Sequence, residues 1–368
     1  MNYQNRRSLA SAFWTIIVII LFASLATAQD QPTIQKDSIH VSAFTLNSYK
    51  GDFKTWSWVP KTEFRVNGPI ASGSQFYVEF TVPGVGPWVK YDCETREAQK
   101  GFWSGTECGG RDAVPEAKSI TYTGPVSFSI KMRNELMGGD VTLFTGKAKV
   151  AKVHSGEAGP NFVNHFDYYV DQDWNLPIGY VFLVPDDVYE WKRPRLAFAV
   201  WARGELHGSF EPHLFKDGKE VGKMFYEGQP VSAPSCGTNE IEDNTTHIVG
   251  GQYVWTRMKC EFFSVLGWNK TDQSNDTQFG KLHVFSENPG EYEIKMIYKG
   301  RLARSMKFSV DAAGKIVENG IGTNNKLGRE RVIVPVQVLG ESDGPWDRNA
   351  WKTDAFYGNP LTGFTAPP

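Results

Sequence analysis

Two histidines, His207 and His213, come nearest to a transition-metal site in this sequence. Glu205 and Glu211 accompany them, and imidazole and carboxylate groups are common ligands of zinc and related metals. Their spacing keeps both histidines on one face of an extended strand but about 20 Å apart, at ~3.3 Å per residue. A shared ion would therefore require the chain to turn between them.

Asp171 and Asp173 form a second candidate metal site. The sequence Asp-Gln-Asp-Trp-Asn, which begins at Asp171, places side-chain oxygens at alternate positions, as a calcium-binding loop does. Leu176 stands where such a loop requires glycine, and an Asx-rich turn explains the same residues. No part of the sequence predicts a cofactor.

The sequence contains none of the common catalytic signatures. We find no G-x-S-x-G, H-E-x-x-H, P-loop or dinucleotide-binding glycine pattern. A glycosidase needs only two carboxylates, which can be far apart in sequence, but no pair of acids stands out here. A non-enzymatic protein is therefore the favoured interpretation.

Tryptophan is the residue type from which we expect a binding surface. Large aromatic side chains can stack on a ligand, although in an antiparallel sheet they more often pack in the core. The candidates for an exposed surface are Trp255, Trp268, Trp346 and Trp351.

The four cysteines predict two disulfide bonds. An even number of cysteines in an oxidising compartment favours disulfides, and the local pairs Cys93–Cys108 and Cys236–Cys260 would each close one domain. A loop of the first pair's length contributes ~3 kcal/mol in the chain-entropy description. Zinc is the alternative, but neither pair has C-x2-C spacing.

Residues 1–28 are typical of a cleavable secretory signal. Arg6 and Arg7 precede an apolar run at 12–22, and Ala26-Thr-Ala28 provides a small-residue cleavage site. An uncleaved anchor is the alternative, because the run approaches the ~20 residues of a membrane span. We expect a secreted, periplasmic or cell-surface protein with no membrane span after signal cleavage.

The composition is that of a globular protein. Charged residues make up 22% of the chain and the net charge is −2, with no basic stripe of the kind that nucleic-acid binding requires. About 340 residues remain after the signal, more than a single core usually serves, which predicts two domains.

The elements that must position these residues are β-strands. Ser127–Met132 and Glu291–Met296 both alternate apolar and polar residues, a period typical of a half-buried strand. An internal duplication would explain the resemblance: residues 40–49 align with 165–174, and 76–80 with 196–200. The alternative is that two unrelated sandwiches look alike once their alternation is aligned.

The predicted fold is all-β, with two tandem immunoglobulin-like β-sandwich domains. Domain 1 covers 29–154, a linker containing glycine and proline covers 155–164, and domain 2 covers 165–318. An insertion at about 204–286 lengthens domain 2 and holds six of the candidate residues, His207, His213, Cys236, Trp255, Cys260 and Trp268. Loops on a rigid sandwich are a usual place for binding, although an additional hairpin is the alternative.

Residues 319–368 form a C-terminal extension. One more strand is predicted at 331–339, and Pro335, which cannot donate to a β-ladder, indicates that it lies at a sheet edge. We expect the aromatic residues of the tail after it to dock on the protein's own surface.

These observations predict an exported, non-enzymatic protein that acts by binding or assembly. The C-terminal edge strand would support self-association by strand addition. The alternative is a carbohydrate-binding or carbohydrate-cleaving module that uses the Trp-rich second domain. The expected partner is thus a second copy or a glycan, and no nucleic acid.

Overall fold

The computed structural model describes twelve segments of the chain. They are residues 32–46, 56–97, 104–109, 118–134, 138–154, 163–184, 194–204, 210–223, 253–268, 282–325, 332–352 and 361–368. The predicted signal, most of the predicted linker, His207 and Cys236 lie outside them. Within these segments, no helix combines the length and the apolar character needed to cross a bilayer.

The predicted all-β class is confirmed, because the described residues form two large sheets. The strands of the first sheet are β1 Thr33–Leu46, β2 Ser57–Asn67, β3 Gln75–Val82, β4 Gly86–Glu97, β5 Ser104–Gly109, β6 Gly124–Asn134, β7 Gly139–His154 and β8 Phe166–Val170. Their spatial order is β1-β2-β5-β4-β3-β6-β7-β8, and every neighbouring pair is antiparallel.

The second sheet contains the remaining described strands. They are β9 Ile178–Val184, β10 Arg195–Arg203, β11 Phe210–Lys216, β12 Lys219–Lys223, β13 Trp255–Leu266, β14 His283–Val284, β15 Gly290–Tyr298, β16 Arg301–Val310 and β17 Val332–Val338. Their order is β12-β11-β15-β16-β17-β9-β10-β13-β14, and only the β13–β14 pair among them is parallel. Within the described segments, the named helical elements are short turns at Asp173–Asn175, Phe285–Glu287, Ile321–Asn324 and Ala350–Lys352.

The first sheet curls around its own apolar side chains. In β6 the alternation buries Phe128, Ile130 and Met132 on one face, as the sequence predicts. The two ends of the sheet approach each other, since the Tyr168 backbone N–H in β8 donates to Thr45 Oγ1 in β1 at 2.9 Å. The buried faces of all eight strands therefore surround one core.

The central strands of the second sheet are buried on both faces. Val181 and Phe198 pack in the second sheet's own core. Tyr180 and Ala197, which point the opposite way, join the core of the first sheet. Their sequences are accordingly almost continuously apolar rather than alternating. The first core thus draws side chains from both sheets.

Strand β8 lies in a different sheet from the predicted one. We expected Phe166–Val170 to begin the second sandwich, but it pairs with β7, Val150 opposite Val170. Consecutive strands usually pair when the connection between them is short. The alignment of 40–49 with 165–174 therefore matches two strands of the same sheet.

Residues 76–80 and 196–200, which the sequence alignment matches, also have different neighbours in their sheets. Strand β3 borders β6, whereas β10 borders β9 and β13 and not β15. The two strands that suggested a duplication do occupy similar places, because β6 and β15 are both interior strands with a following hairpin partner, β7 and β16.

The prediction that the C-terminal strand is an edge strand is wrong. Strand β17 lies inside the second sheet, between β16 and β9. The Val336 N–H points towards β9 and donates to Pro177 O at 2.8 Å, so the nitrogen of Pro335 points the other way, towards β16. Pairing with β16 covers only Val336–Val338. Proline is tolerated because the ladder on its side has already ended.

One predicted disulfide bond and one hairpin turn illustrate the local structure. Cys93 and Cys108 lie opposite each other in β4 and β5 and form a disulfide bond. Asp217 and Gly218 form the β11–β12 hairpin turn, with φ of 50° and 76°, the left-handed pair that a two-residue hairpin turn requires. Cys260 faces the second core, and its pairing with Cys236 stays a prediction.

Candidate functional site

A buried carboxylate, Asp173, is the centre of a polar region in the described interior. Its Oδ1 accepts hydrogen bonds from Trp255 Nε1 at 3.0 Å and from Arg203 Nη1 at 3.4 Å. Its Oδ2 accepts one from the backbone N–H of Asp347 at 2.8 Å. We call these four residues the Asp173 cluster. They come from the β8–β9 connection, the end of β10, the start of β13 and the C-terminal extension.

The local fold around Asp173 is an Asx turn rather than a calcium loop. Asp171 Oδ1 accepts the Asp173 backbone N–H at 3.1 Å, which starts the helical turn Asp173–Asn175. Lys149 Nζ of β7 donates to the other oxygen of Asp171 at 3.1 Å. No group of three or more His, Cys, Asp or Glu side chains within the described segments is arranged to hold a metal.

The environment of Asp173 shifts its pKa upward, to about 6. Burial is the main cause, because it disfavours the charged form, and the negative charge of Asp171 acts in the same direction. The donors on Asp347, Arg203 and Trp255 partly oppose the shift. Asp173 therefore titrates closer to neutral pH than an exposed aspartate does.

Half-buried aromatic rings border the cluster. The rings of Tyr169 and Tyr253 pack against each other with centroids 4.6 Å apart and their planes tilted by 32°. The Arg203 guanidinium lies 5.2 Å from the ring centroids of both Tyr253 and Trp255, a distance at which a cation is attracted by the ring. Burial raises the pKa of Tyr169, so its hydroxyl remains neutral over the physiological range.

A second buried ion pair connects the C-terminal extension to the same region. Arg304 and Asp343 pair with both side chains essentially inaccessible to solvent. Asp343 Oδ1 also accepts the Arg203 backbone N–H at 3.0 Å, and Arg304 Nη1 donates to Ala303 O at 3.0 Å. Such a pair is tolerated inside a protein when additional hydrogen bonds satisfy both charges. Asp343 thus ties the extension to β10 and β16, and Asp347 ties it to the β8–β9 connection.

The four predicted tryptophans do not form one surface. Trp255 is only 1% exposed and belongs to the core, so its prediction as a surface residue is wrong. Of the four, it is the one that donates a hydrogen bond to a residue of the predicted calcium loop, Asp173. Trp268 is 38% exposed at the end of β13. Trp346 and Trp351 are half-buried, the first under Arg348 and the second against Phe364, where they cover the protein's own cores.

The predicted histidine pair receives no support as a metal site. His213 Nδ1 lies 2.7 Å from Glu220 Oε1, across the β11–β12 hairpin. His207 lies outside the described residues, so the distance between the two histidines is not defined.

Among the residues near the candidate site, Arg304 is the one whose burial the sequence could have indicated. Met306, Phe308 and Val310 mark the inward face of β16, and position 304 continues that alternation, so an arginine falls where an apolar side chain belongs. Arg203, Tyr169 and Tyr253 carry no comparable signal. Their meeting depends on strands that are far apart in sequence.

Comparison with protein-family models and with curated proteins gives no match for this chain.

Proposed function

We propose that the chain is an exported, non-enzymatic protein that acts by binding, and that the surface over the Asp173 cluster is its binding site. The observation that carries the proposal is the occupation of both Asp173 oxygens by three protein donors. A carboxylate held in this way keeps the β8–β9 connection, the end of β10, the start of β13 and the C-terminal extension together. The outer residues of that arrangement, Lys149, Asp171 and Tyr253, are the ones that a ligand would contact.

The same observation disfavours catalysis by Asp173. A general acid or base must place an oxygen within hydrogen-bond reach of the substrate. Asp173 is 5% exposed, and its lone pairs already accept hydrogen bonds from Trp255, Arg203 and the backbone. Its raised pKa is explained by burial and by Asp171, without a catalytic role.

A carbohydrate is the ligand class that the composition of this surface favours. Binding sites commonly combine aromatic faces with a few placed polar groups. Tyr169 and Tyr253 supply the rings, and Asp171 and Lys149 supply a charged acceptor and donor beside them. Carbohydrate binding is thus the second candidate function, with tyrosine rings in place of the tryptophan rings that the sequence suggested.

The finer architecture and the location belong to the same proposal. We infer two tandem domains of immunoglobulin-like β-sandwich type, and export to the secreted, periplasmic or cell-surface space. The matching interior places of β6 and β15 support the tandem arrangement. Separate expression of residues 29–172 tests it: a cooperative unfolding transition supports two domains, and an unfolded fragment contradicts them.

A glycan array combined with a reducing-sugar assay tests the binding proposal. We expect the full chain to retain glycans without releasing reducing ends, and Tyr253→Ala to weaken retention at least tenfold. Tyr298→Ala is the matched control, since Tyr298 is also half-buried in the second sheet but contacts Phe210 instead. Turnover that Asp173→Asn abolishes would contradict the non-enzymatic proposal, and silence in both assays would remove the carbohydrate class.

A further inference from the structure

The last eight residues of the chain, Leu361–Pro368, dock on the protein as a short peptide would. We call them the tail. Leu361 and Phe364 are buried in the first core, whereas Thr362 and Gly363 between them are exposed. The Phe364 N–H donates to Leu361 O at 3.0 Å, and Gly363 has a φ of 83°. This turn places both apolar side chains on the same side.

Asn325 holds the tail by its backbone. Asn325 Nδ2 donates to Thr362 O at 3.0 Å, and the Thr362 N–H donates to Asn325 Oδ1 at 2.9 Å. Asn325 is itself fixed, because its Nδ2 also donates to Ile321 O at 2.8 Å and its carbonyl accepts Lys36 Nζ at 3.2 Å. A paired amide of this kind recognises extended backbone without requiring a particular side chain at position 362.

The apolar half of the binding site comes from two other segments. The rings of Trp351 and Phe364 meet edge to face, with centroids 5.4 Å apart. Ile321 and Ala350 belong to the same core as Leu361 and Phe364. We call Asn325 and Trp351, which contact the tail, together with Ile321 and Ala350 of the same core, the seat. The tail of another molecule could make each of these contacts as well as the tail of the same molecule does.

We propose that the seat is a peptide-binding site for the Leu-Thr-Gly-Phe sequence of the tail, and that it accepts the tail of a second copy of this chain. The inference is independent of the proposed ligand at the Asp173 cluster. Eight residues, 353–360, separate the tail from the described residue before it, and they span at most ~29 Å. The chain's own tail therefore competes at a millimolar effective concentration, which keeps a second copy out at micromolar protein.

Self-association would then require that the chain's own tail leaves the seat. It would not use the edge strand that the sequence predicted. A chain whose own tail cannot dock becomes an acceptor, and a chain whose seat is damaged becomes a donor. The two together form one heterologous contact, so a mixture closes at a 1:1 complex.

Full-length variants test this inference. The acceptor is Leu361→Ser/Phe364→Ser, and the donor is Asn325→Ala, which removes both hydrogen bonds to Thr362. Thr362→Ser is the matched control, since the seat contacts the backbone of that residue. The probe is a labelled synthetic peptide of residues 359–368. We expect the probe to bind the acceptor at least tenfold more tightly than wild type or Thr362→Ser, and Phe364→Ser in the probe to weaken binding at least tenfold.

Light scattering after size exclusion provides the second measurement. We expect acceptor and donor to be monomers when separate and to form a 1:1 heterodimer when mixed. A folded acceptor, judged by circular dichroism, that fails to bind the probe at millimolar concentration would overturn the inference. Equal binding to acceptor and wild type would do the same. If the double variant does not fold, Phe364→Ser alone serves as the acceptor with the same expected outcomes.

Discussion

The two sheets bury polar groups in different ways. The outer face of the first sheet carries solvent-accessible ion pairs such as Lys131–Glu79. The second sheet carries similar pairs, such as Lys295–Glu293, but it also encloses Arg304 and Asp343, and the ends of its strands surround Asp173 with donors. Exposed pairs contribute little to folding, whereas a buried charge that loses its counter-charge is strongly destabilising. The comparison teaches that the region around the second sheet accepts costly interior charges, and that two buried acids, Asp343 within the C-terminal extension and Asp173 outside it, join the extension to the rest of the protein.

Removing one buried charge should produce the largest effect. Asp343→Asn leaves the Arg304 guanidinium in the interior without its counter-charge, and we expect the free energy of unfolding to fall by ~3–5 kcal/mol. The matched change in the first sheet is Glu79→Gln, which breaks its pair with Lys131 at the surface and should cost no more than ~1 kcal/mol. Urea unfolding measures both, and equal losses would show that the two sheets do not differ.

The disulfide bonds come next in magnitude. Cys93→Ser/Cys108→Ser opens a bridge between residues 15 apart in sequence, and the chain-entropy description gives a loss of ~3 kcal/mol. Cys236→Ser/Cys260→Ser should cost a similar amount if the second predicted bridge exists. Thermal unfolding of each pair of variants tests this. Mass spectrometry of non-reduced peptides checks the connectivity, and a 93–236 or 108–260 link would contradict it.

The pH dependence of stability should differ in sign between the two sheets. Burial lowers the pKa of His40 in β1 to about 4, so its contribution is complete above pH 6.5 and is lost as the pH falls towards 4. Asp173 has a raised pKa, so its ionisation penalises folding above pH 6, and the penalty disappears as the pH falls towards 3.8. Each effect is on the order of 2–3 kcal/mol.

Single variants separate these opposing contributions. In wild type they offset each other between pH 4 and 6.5, so stability should change little in that window. His40→Gln should make the chain gain stability on acidification, and Asp173→Asn should make it lose stability more steeply. Urea unfolding at pH 4.5, 5.5 and 7 measures the slopes. Parallel slopes in the two variants would refute the assignment of opposite signs.

The smallest expected difference concerns two buried tryptophans. Trp58 Nε1 in the first sheet donates to the neutral Tyr122 carbonyl at 2.8 Å, and Trp255 Nε1 in the second donates to the Asp173 carboxylate at 3.0 Å. Hydrogen bonds to charged groups contribute more than neutral ones, by roughly 1 kcal/mol. Trp255→Phe should therefore cost about 1 kcal/mol more than Trp58→Phe, since both lose the same ring area. A larger loss for Trp58→Phe would contradict this.

The sequence predicts what depends on local alternation. The inward faces of β6 and β15, the Asp217-Gly218 turn and the Cys93–Cys108 bridge all follow from residues close together in the chain. The position of β17 does not, because Pro335 excludes a hydrogen bond on one side only, and the neighbour on that side is set by the whole sheet. The burial of Trp255 was likewise hidden, because its partner Asp173 lies in a distant connection. Sheet order is a tertiary property that strand patterns leave open.

Hydrogen exchange of the C-terminal extension tests the central claim, that Asp173 serves to hold this segment. The Asp347 amide donates to Asp173 Oδ2. Asp173→Asn removes the negative charge of this acceptor and can place an NH2 donor beside the Asp347 amide. The substitution should therefore raise exchange in peptides covering 344–350. Peptides covering β15 and β16 should keep their wild-type protection. Unchanged exchange at 344–350 in a folded Asp173→Asn protein would contradict the account.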